Sequence, residues 1–206
     1  MLLRLSILPL VLVAVGCSQR AQWRVVPTPA AAPQQQAEAV IPAVAAPADA
    51  TAVAHLGSLL FPVPGVDSTR LDDSFDAPRD GGVRRHNAID IMAPRGTPVL
   101  AVQDGRILRL AKNAKGGTTV YATDLEEQFV YYYAHLDRYH PSIYAGRPLM
   151  RGDTIGYVGT TGNAPKDLPH LHFQVMHMPA DHKYWNGDPI NPYPLLSRTA
   201  SRQSGK

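Results

Sequence analysis

From residue 97 onward the apolar positions fall into short runs broken by glycine and polar turns, the pattern of strands rather than of helices. Outside the first seventeen residues no window sustains a helical period over three turns. "TPVLAVQDGRILRL" holds two β-rich runs joined through Asp104-Gly105, a pair that predicts a hairpin between them. "TTVYATD" and "QFVYYYAHL" predict a second pair of strands, dense in β-branched and aromatic residues and separated by a polar turn. "DTIGYVGTTGN" and "HLHFQVM" follow, set apart by glycines, Asn163 and two prolines. The prediction is an all-β fold of about 140 residues, antiparallel and open-barrel-like, with few or no long helices.

Strand alternation gives two of these runs a further meaning. In "HLHFQV" His170, His172 and Gln174 share one face while Leu171, Phe173 and Val175 share the other, so one face is core and the other is chemistry or solvent. Of the three tyrosines Tyr131 to Tyr133, one face is expected in the core and the other beside His135 along a groove.

The first 55 residues lack this pattern. Met1 to Arg4 starts with a positive charge, Leu5 to Val15 is apolar, and Gly16 and Cys17 follow; the apolar stretch is shorter than the roughly 20 residues of a membrane span. Residues 1–17 therefore read as an export signal, and the chain's single cysteine at its end resembles the lipobox of bacterial lipoproteins, with Ala14 where that pattern usually has Leu. That resemblance implies acylation of Cys17 and a membrane-anchored lipoprotein facing the periplasm; an ordinary signal with a stray thiol is the plainer alternative. Residues 18–55, including "VVPTPAAAPQQQAEAVIPAVAAPADATA", are rich in Ala, Pro and Gln and nearly uncharged, the composition of a linker that cannot bury enough surface to fold. The expected organisation is a signal over 1–17, a linker over 18–55, one domain over 56–196 and a polar tail over 197–206.

Charge narrows the function classes. The formal net charge of +3 is spread over scattered Lys and Arg, only Arg84-Arg85 forming a close pair, so there is no basic stripe and nucleic acid is not an expected partner. His86 and Asp90 in "RHNAID" have a metal-ligand spacing, yet His177 and Asp181 repeat it, so the pair alone carries little. A His-x-His on a strand is rarer and aims two imidazoles at one point without a special turn; a pair of exposed strand histidines is the bland alternative.

Read in order, "RRHNAIDIMAPRGTPVLAVQDGRI", "YYYAHLDRY", "GDTIGYVGTTGN" and "PHLHF" closely resemble the successive signatures of the lysostaphin-like, or LytM-type, zinc metallopeptidases that cleave bacterial peptidoglycan. The resemblance runs from about Phe61 to Val175. It implies that His86, Asp90 and His172 bind one zinc ion and that His135 and His170 are the catalytic histidines. Two imidazoles and a carboxylate suit zinc and leave the fourth tetrahedral position for a water, whose proton a neighbouring imidazole can take. Two departures stand out. Ala88 replaces the glycine usual between the first histidine and the aspartate, so that turn must avoid a positive φ there, and Asp76 follows Phe75 where glycine is common. His55, His140, His177 and His182 are expected as surface residues. "GTTGN" either presents backbone groups to an extended peptide or is a plain turn.

The resemblance favours a zinc endopeptidase hydrolysing peptide crosslinks, with peptidoglycan stems as its partner. Two alternatives are a noncatalytic relative that activates a cell-wall amidase and a β module that binds wall glycan without chemistry.

Overall fold

The computed structural model describes Leu56 and residues 59–196; Cys17, His55, the segments 1–17 and 18–55 and the tail 197–206 lie outside the described residues. Twelve strands follow in chain order: β1 (Pro78–Arg79), β2 (Arg84–Arg85), β3 (Ile89–Met92), β4 (Pro98–Leu100), β5 (Gly105–Asn113), β6 (Gly117–Asp124), β7 (Phe129–Leu136), β8 (Arg138–Tyr139), β9 (Pro148–Leu149), β10 (Thr154–Tyr157), β11 (His170–His177) and β12 (Pro189–Ile190). All pairings are antiparallel. The main sheet runs β12-β11-β7-β6-β5-β9 with β3 paired to β11, a smaller sheet runs β4-β10-β8, and β1 and β2 pair alone. Among the described residues helix is confined to three short 3-10 turns, Leu56 and a single α-helical turn over 193–196, and no helix is long and apolar enough to cross a membrane. The expected all-β antiparallel class is what the chain adopts.

One face of the main sheet builds the core. Ile107, Val120, Tyr131, Tyr133, Leu171 and Phe173 are buried in one cluster with Val99 and Ile155 of the smaller sheet and with Leu56, Leu59, Leu195 and Leu196. Removing each such side chain from water contributes about 1.5–3 kcal/mol, enough to fix the register of the central strands. The alternation expected in β11 holds, with Leu171, Phe173 and Val175 fully buried beneath the sheet. Tyr131 and Tyr133 enter the core as expected and Tyr132 takes the open face, half-buried. Tyr133 is deep enough to need a polar partner, and its hydroxyl accepts the Val102 N–H at 3.1 Å.

The hairpin expected at Asp104-Gly105 does not form. β4 pairs with β10 in the smaller sheet, while β5 pairs with β6 and β9 in the main one, so the chain crosses between sheets at this point. Gly105 serves a different need: a Cβ there would stand 1.7 Å from the Thr123 carbonyl oxygen of β6, so the close approach of β5 to β6 requires its absence. Asp104 accepts a hydrogen bond from the Arg151 N–H at 2.7 Å and ties the crossing to another loop. The turns on either side of β6 are the true hairpins, β5 to β6 and β6 to β7.

Candidate metal centre and catalytic cleft

β11 carries the site because it is shared. Along one edge β3 pairs with its first half in the register His172 to Asp90, and along the other β7 pairs with it in the register His172 to Ala134. Asp90 thus stands directly across from His172 on the open face. His86 reaches the same point through a tight turn in which Asn87, not Ala88, takes the positive φ of 58°. Ala88 is fully buried with its methyl accommodated, which resolves the glycine replacement.

Three donor atoms converge. His86 Nε2 lies 3.0 Å from His172 Nδ1 and 3.1 Å from Asp90 Oδ1, and His172 Nδ1 lies 3.1 Å from Asp90 Oδ1. Lone pairs this close repel unless a proton or cation stands among them. Donors around a tetrahedral zinc are about 3.3 Å apart for bonds of roughly 2.0–2.1 Å, so a small outward relaxation of this triangle is all that separates it from such a face. Among the described residues this is the one group of three that fits a metal ion.

Supporting contacts fix the donors. His86 Nδ1–H donates to the Ser74 carbonyl at 3.0 Å, which leaves Nε2 bare and aimed inward. Arg79 Nη2 donates to Asp90 Oδ2 at 2.9 Å, and the Asp90 N–H donates to Ser74 Oγ at 3.3 Å. Burial alone would raise the Asp90 carboxyl, but the hydrogen bonds and charges of His172 and His86 overcome it and hold the group well below the usual carboxylate range. Burial pushes the His172 imidazole down, against the pull of Asp90.

The other two histidines flank the triangle. His170 Nδ1–H donates to the Leu168 carbonyl at 2.7 Å, and its Nε2 lies 3.8 Å from Asp90 Oδ1. His135 Nδ1–H donates to the Thr161 carbonyl at 2.9 Å, and its ring centre lies 4.9 Å from that of His170 and 5.5 Å from that of His172. Burial drives the His135 imidazole down to about 4, more than its bond to Thr161 raises it, so it is neutral at pH 7.

By alternation from Tyr131 and Tyr133, His135 belongs in the core. A positive φ of 59° turns it onto the open face instead, at a bulge in β7 where Ala134 and His135 together oppose the single β6 residue between Thr118 and Val120. Leu136, the next residue, drops into the core, fully buried. All five expected residues therefore meet in one cleft of about 360 Å³, rimmed also by Arg79, Met92, Asn163 and Leu168. His177 follows on the opposite strand parity, against Phe129, and takes no part.

Sequence reasoning missed Ser74, Arg79 and Leu168. Two of them act through backbone carbonyls, which leave no residue-type signal, and Arg79 is one cation among many. Thr161 of "GTTGN" holds His135 through its carbonyl. Its hydroxyl donates to the Leu136 carbonyl at 2.7 Å and accepts from the Thr118 N–H at 2.9 Å, locking that loop to the ends of β6 and β7.

The chain is 33% identical over 151 residues to the L-Ala–D-Glu endopeptidase of Bacillus subtilis (strain 168), covering 68% of this chain and 44% of that protein. It is 30% identical over 115 residues to the peptidoglycan DD-endopeptidase ShyC of Vibrio cholerae, covering 54% of this chain and 25% of that protein. The chain thus spans less than half the length of either relative. A zinc-containing peptidase from Vibrio cholerae of known structure superposes with a TM-score of 0.50 at 25% identity, over 65% of this chain and 38% of that one. The sequence model of Peptidase family M23 matches residues 84–192, which hold four of the five histidine and aspartate positions of the cleft on β3, β7 and β11, together with His86. The chain belongs to Peptidase family M23.

Proposed function

We propose that this chain is a zinc-dependent endopeptidase that hydrolyses peptide crosslinks of bacterial peptidoglycan. The observation that carries the proposal is the triangle of His86 Nε2, Asp90 Oδ1 and His172 Nδ1 with two further imidazoles, each anchored through Nδ1, beside it. His86, Asp90 and His172 would hold the ion. A bound zinc supplies Lewis acidity that polarises a carbonyl and acidifies a water. Because their Nδ1 atoms are committed to backbone carbonyls, His135 and His170 work through Nε2. One takes the proton of the attacking water on Nε2 and returns it to the departing amine as the C–N bond breaks, while the other, when it carries a second proton on Nε2, donates a hydrogen bond to the oxygen on which negative charge develops.

The Bacillus relative is named for a bond within the stem and the Vibrio relative for a DD bond. Digestion of defined muropeptides, crosslinked and uncrosslinked, with mass analysis of the products tests the proposal. Release of monomers from the crosslinked substrate in a chelator-sensitive reaction is expected, and attack on uncrosslinked stems alone would move the assignment to an intrastem bond. A noncatalytic amidase activator is disfavoured because all five positions of the cleft are filled.

The same proposal extends to the envelope: residues 1–17 direct export, acylated Cys17 anchors the chain to a membrane on the periplasmic side, and residues 18–55 tether the domain over 56–196, with 197–206 as a tail. Metabolic labelling with a fatty-acid probe, lost in Cys17→Ser, tests the anchor.

A further inference from the structure

The open face of the main sheet does not end at the metal centre. Across the strands Gln174, Tyr132 and Tyr121 stand opposite one another in register, with Arg109 next in line on β5. From the His172 ring the aromatic centres step 6.1 Å to Tyr132, 4.5 Å to Tyr121, 5.2 Å to Tyr184 and 5.0 Å to Trp185. Tyr184 and Trp185 belong to the 3-10 turn Tyr184–Asn186, in the loop that follows β11. Gly187 lets this loop press against β11, since a Cβ there would lie 2.1 Å from the His177 carbonyl oxygen. Trp185, at the end of the row, is 56% exposed.

An isolated exposed indole is ordinary, but a continuous aromatic row leading away from a metal centre is not. The row holds no carboxylate, so it offers uncharged aromatic ring faces. The cations Arg79 and Arg84 rim the cleft elsewhere, with Arg79 bonded to Asp90 on the β3 side of β11, whereas the tyrosines lie on the β7 side. Arg109 thus stands at the β5 end of the row, while Arg79 and Arg84 lie on the other side of the metal centre.

We infer that Tyr132, Tyr121, Tyr184 and Trp185 form a shelf for the sugar rings of the glycan to which the cleaved peptide is attached. The inference rests on the peptidoglycan peptidase reading and is continuous with it. Peptidoglycan is a glycan bearing short peptides, and an extended peptide covers about 3.3–3.6 Å per residue, so ring steps of this size bring sugar within reach of a peptide held at the metal. The C–H bonds on the face of an N-acetylhexosamine carry partial positive charge and seat on the negative faces of aromatic rings.

The test uses the full chain and two probes, peptide-free glycan strands prepared by amidase treatment of sacculi and free stem peptides without sugar. Titration calorimetry should show the wild type and His170→Ala both binding glycan strands, with Trp185→Ala weaker by about tenfold. In parallel, the wild type should show a lower KM for crosslinked muropeptides that carry sugar than for the sugar-free crosslinked peptides, and Trp185→Ala should lose most of that preference. Glycan binding that is absent in the wild type, or equal in Trp185→Ala, would overturn the shelf. Equal loss on sugar-free and sugar-bearing substrates would also overturn it, marking the row as a peptide surface. Glycan binding without peptide hydrolysis would support the shelf and sink the peptidase reading alone.

Discussion

Asp90 and His172 face each other across the β3–β11 ladder, with Oδ1 and Nδ1 3.1 Å apart. A direct cross-strand pair is the most rigid relationship that two side chains on different strands can have, since the backbone hydrogen bonds on either side set it. The third donor, His86, adds to a pair that is already fixed.

Removing a donor should therefore remove the metal. In His86→Ala, Asp90→Ala or His172→Ala, zinc measured by mass spectrometry after dialysis is expected to fall from one per chain to near zero, with hydrolysis lost. His170→Ala should keep its zinc and fold while losing about 10²–10⁴-fold in turnover. Full activity in His170→Ala would refute its role.

Arg79 holds Asp90 through the oxygen that does not face the histidines. Arg79→Met should weaken zinc binding by about 10–100-fold in a competition titration with a chromophoric chelator. Arg79→Lys should recover part of that loss, because a cation returns without the guanidinium fork.

Gly162 has a φ of 72°, and a Cβ there would stand 2.2 Å from the Lys115 carbonyl oxygen and 2.4 Å from the Gly117 nitrogen. Gly162→Ala should cost at least about 2 kcal/mol in denaturant unfolding. It should also lower turnover more than zinc content, since the displaced neighbour Thr161 anchors His135.

In the metal-free protein, acid should act through His135. Its folded-state value of about 4 lies below the ordinary imidazole value near 6.5, so the proton prefers the unfolded chain. The stability linked to this group is complete above about pH 6.5 and is lost as pH falls toward 4. The lowered His172 adds in the same sense. With chelator present, the melting temperature should drop across this window, and His135→Gln should flatten the drop. A wild-type profile that does not change between pH 7 and 4.5 would contradict it.

Much of the site was legible because strand alternation is a simple rule. His170 and His172 share a face, Tyr131 and Tyr133 share the core, and β6 and β7 pair as their composition implied. Where the rule is broken, the sequence misleads. Alternation assigns His135 to the core, and only the left-handed backbone at that residue returns it to the cleft. Asp104-Gly105 has the chemistry of a hairpin turn, but Gly105 answers to Thr123 on a neighbouring strand, a contact no local pattern encodes. The carbonyls of Ser74, Thr161 and Leu168 are equally silent, because every residue type has one.

β11 alternates His170 and His172 with Leu171 and Phe173, so the floor of the cleft is also the ceiling of the core. The reactive groups have no hinge or detachable loop of their own on that strand. Heat inactivation should then coincide with cooperative melting of the whole domain, and a volume change made beneath the sheet will be felt as a change in catalytic rate.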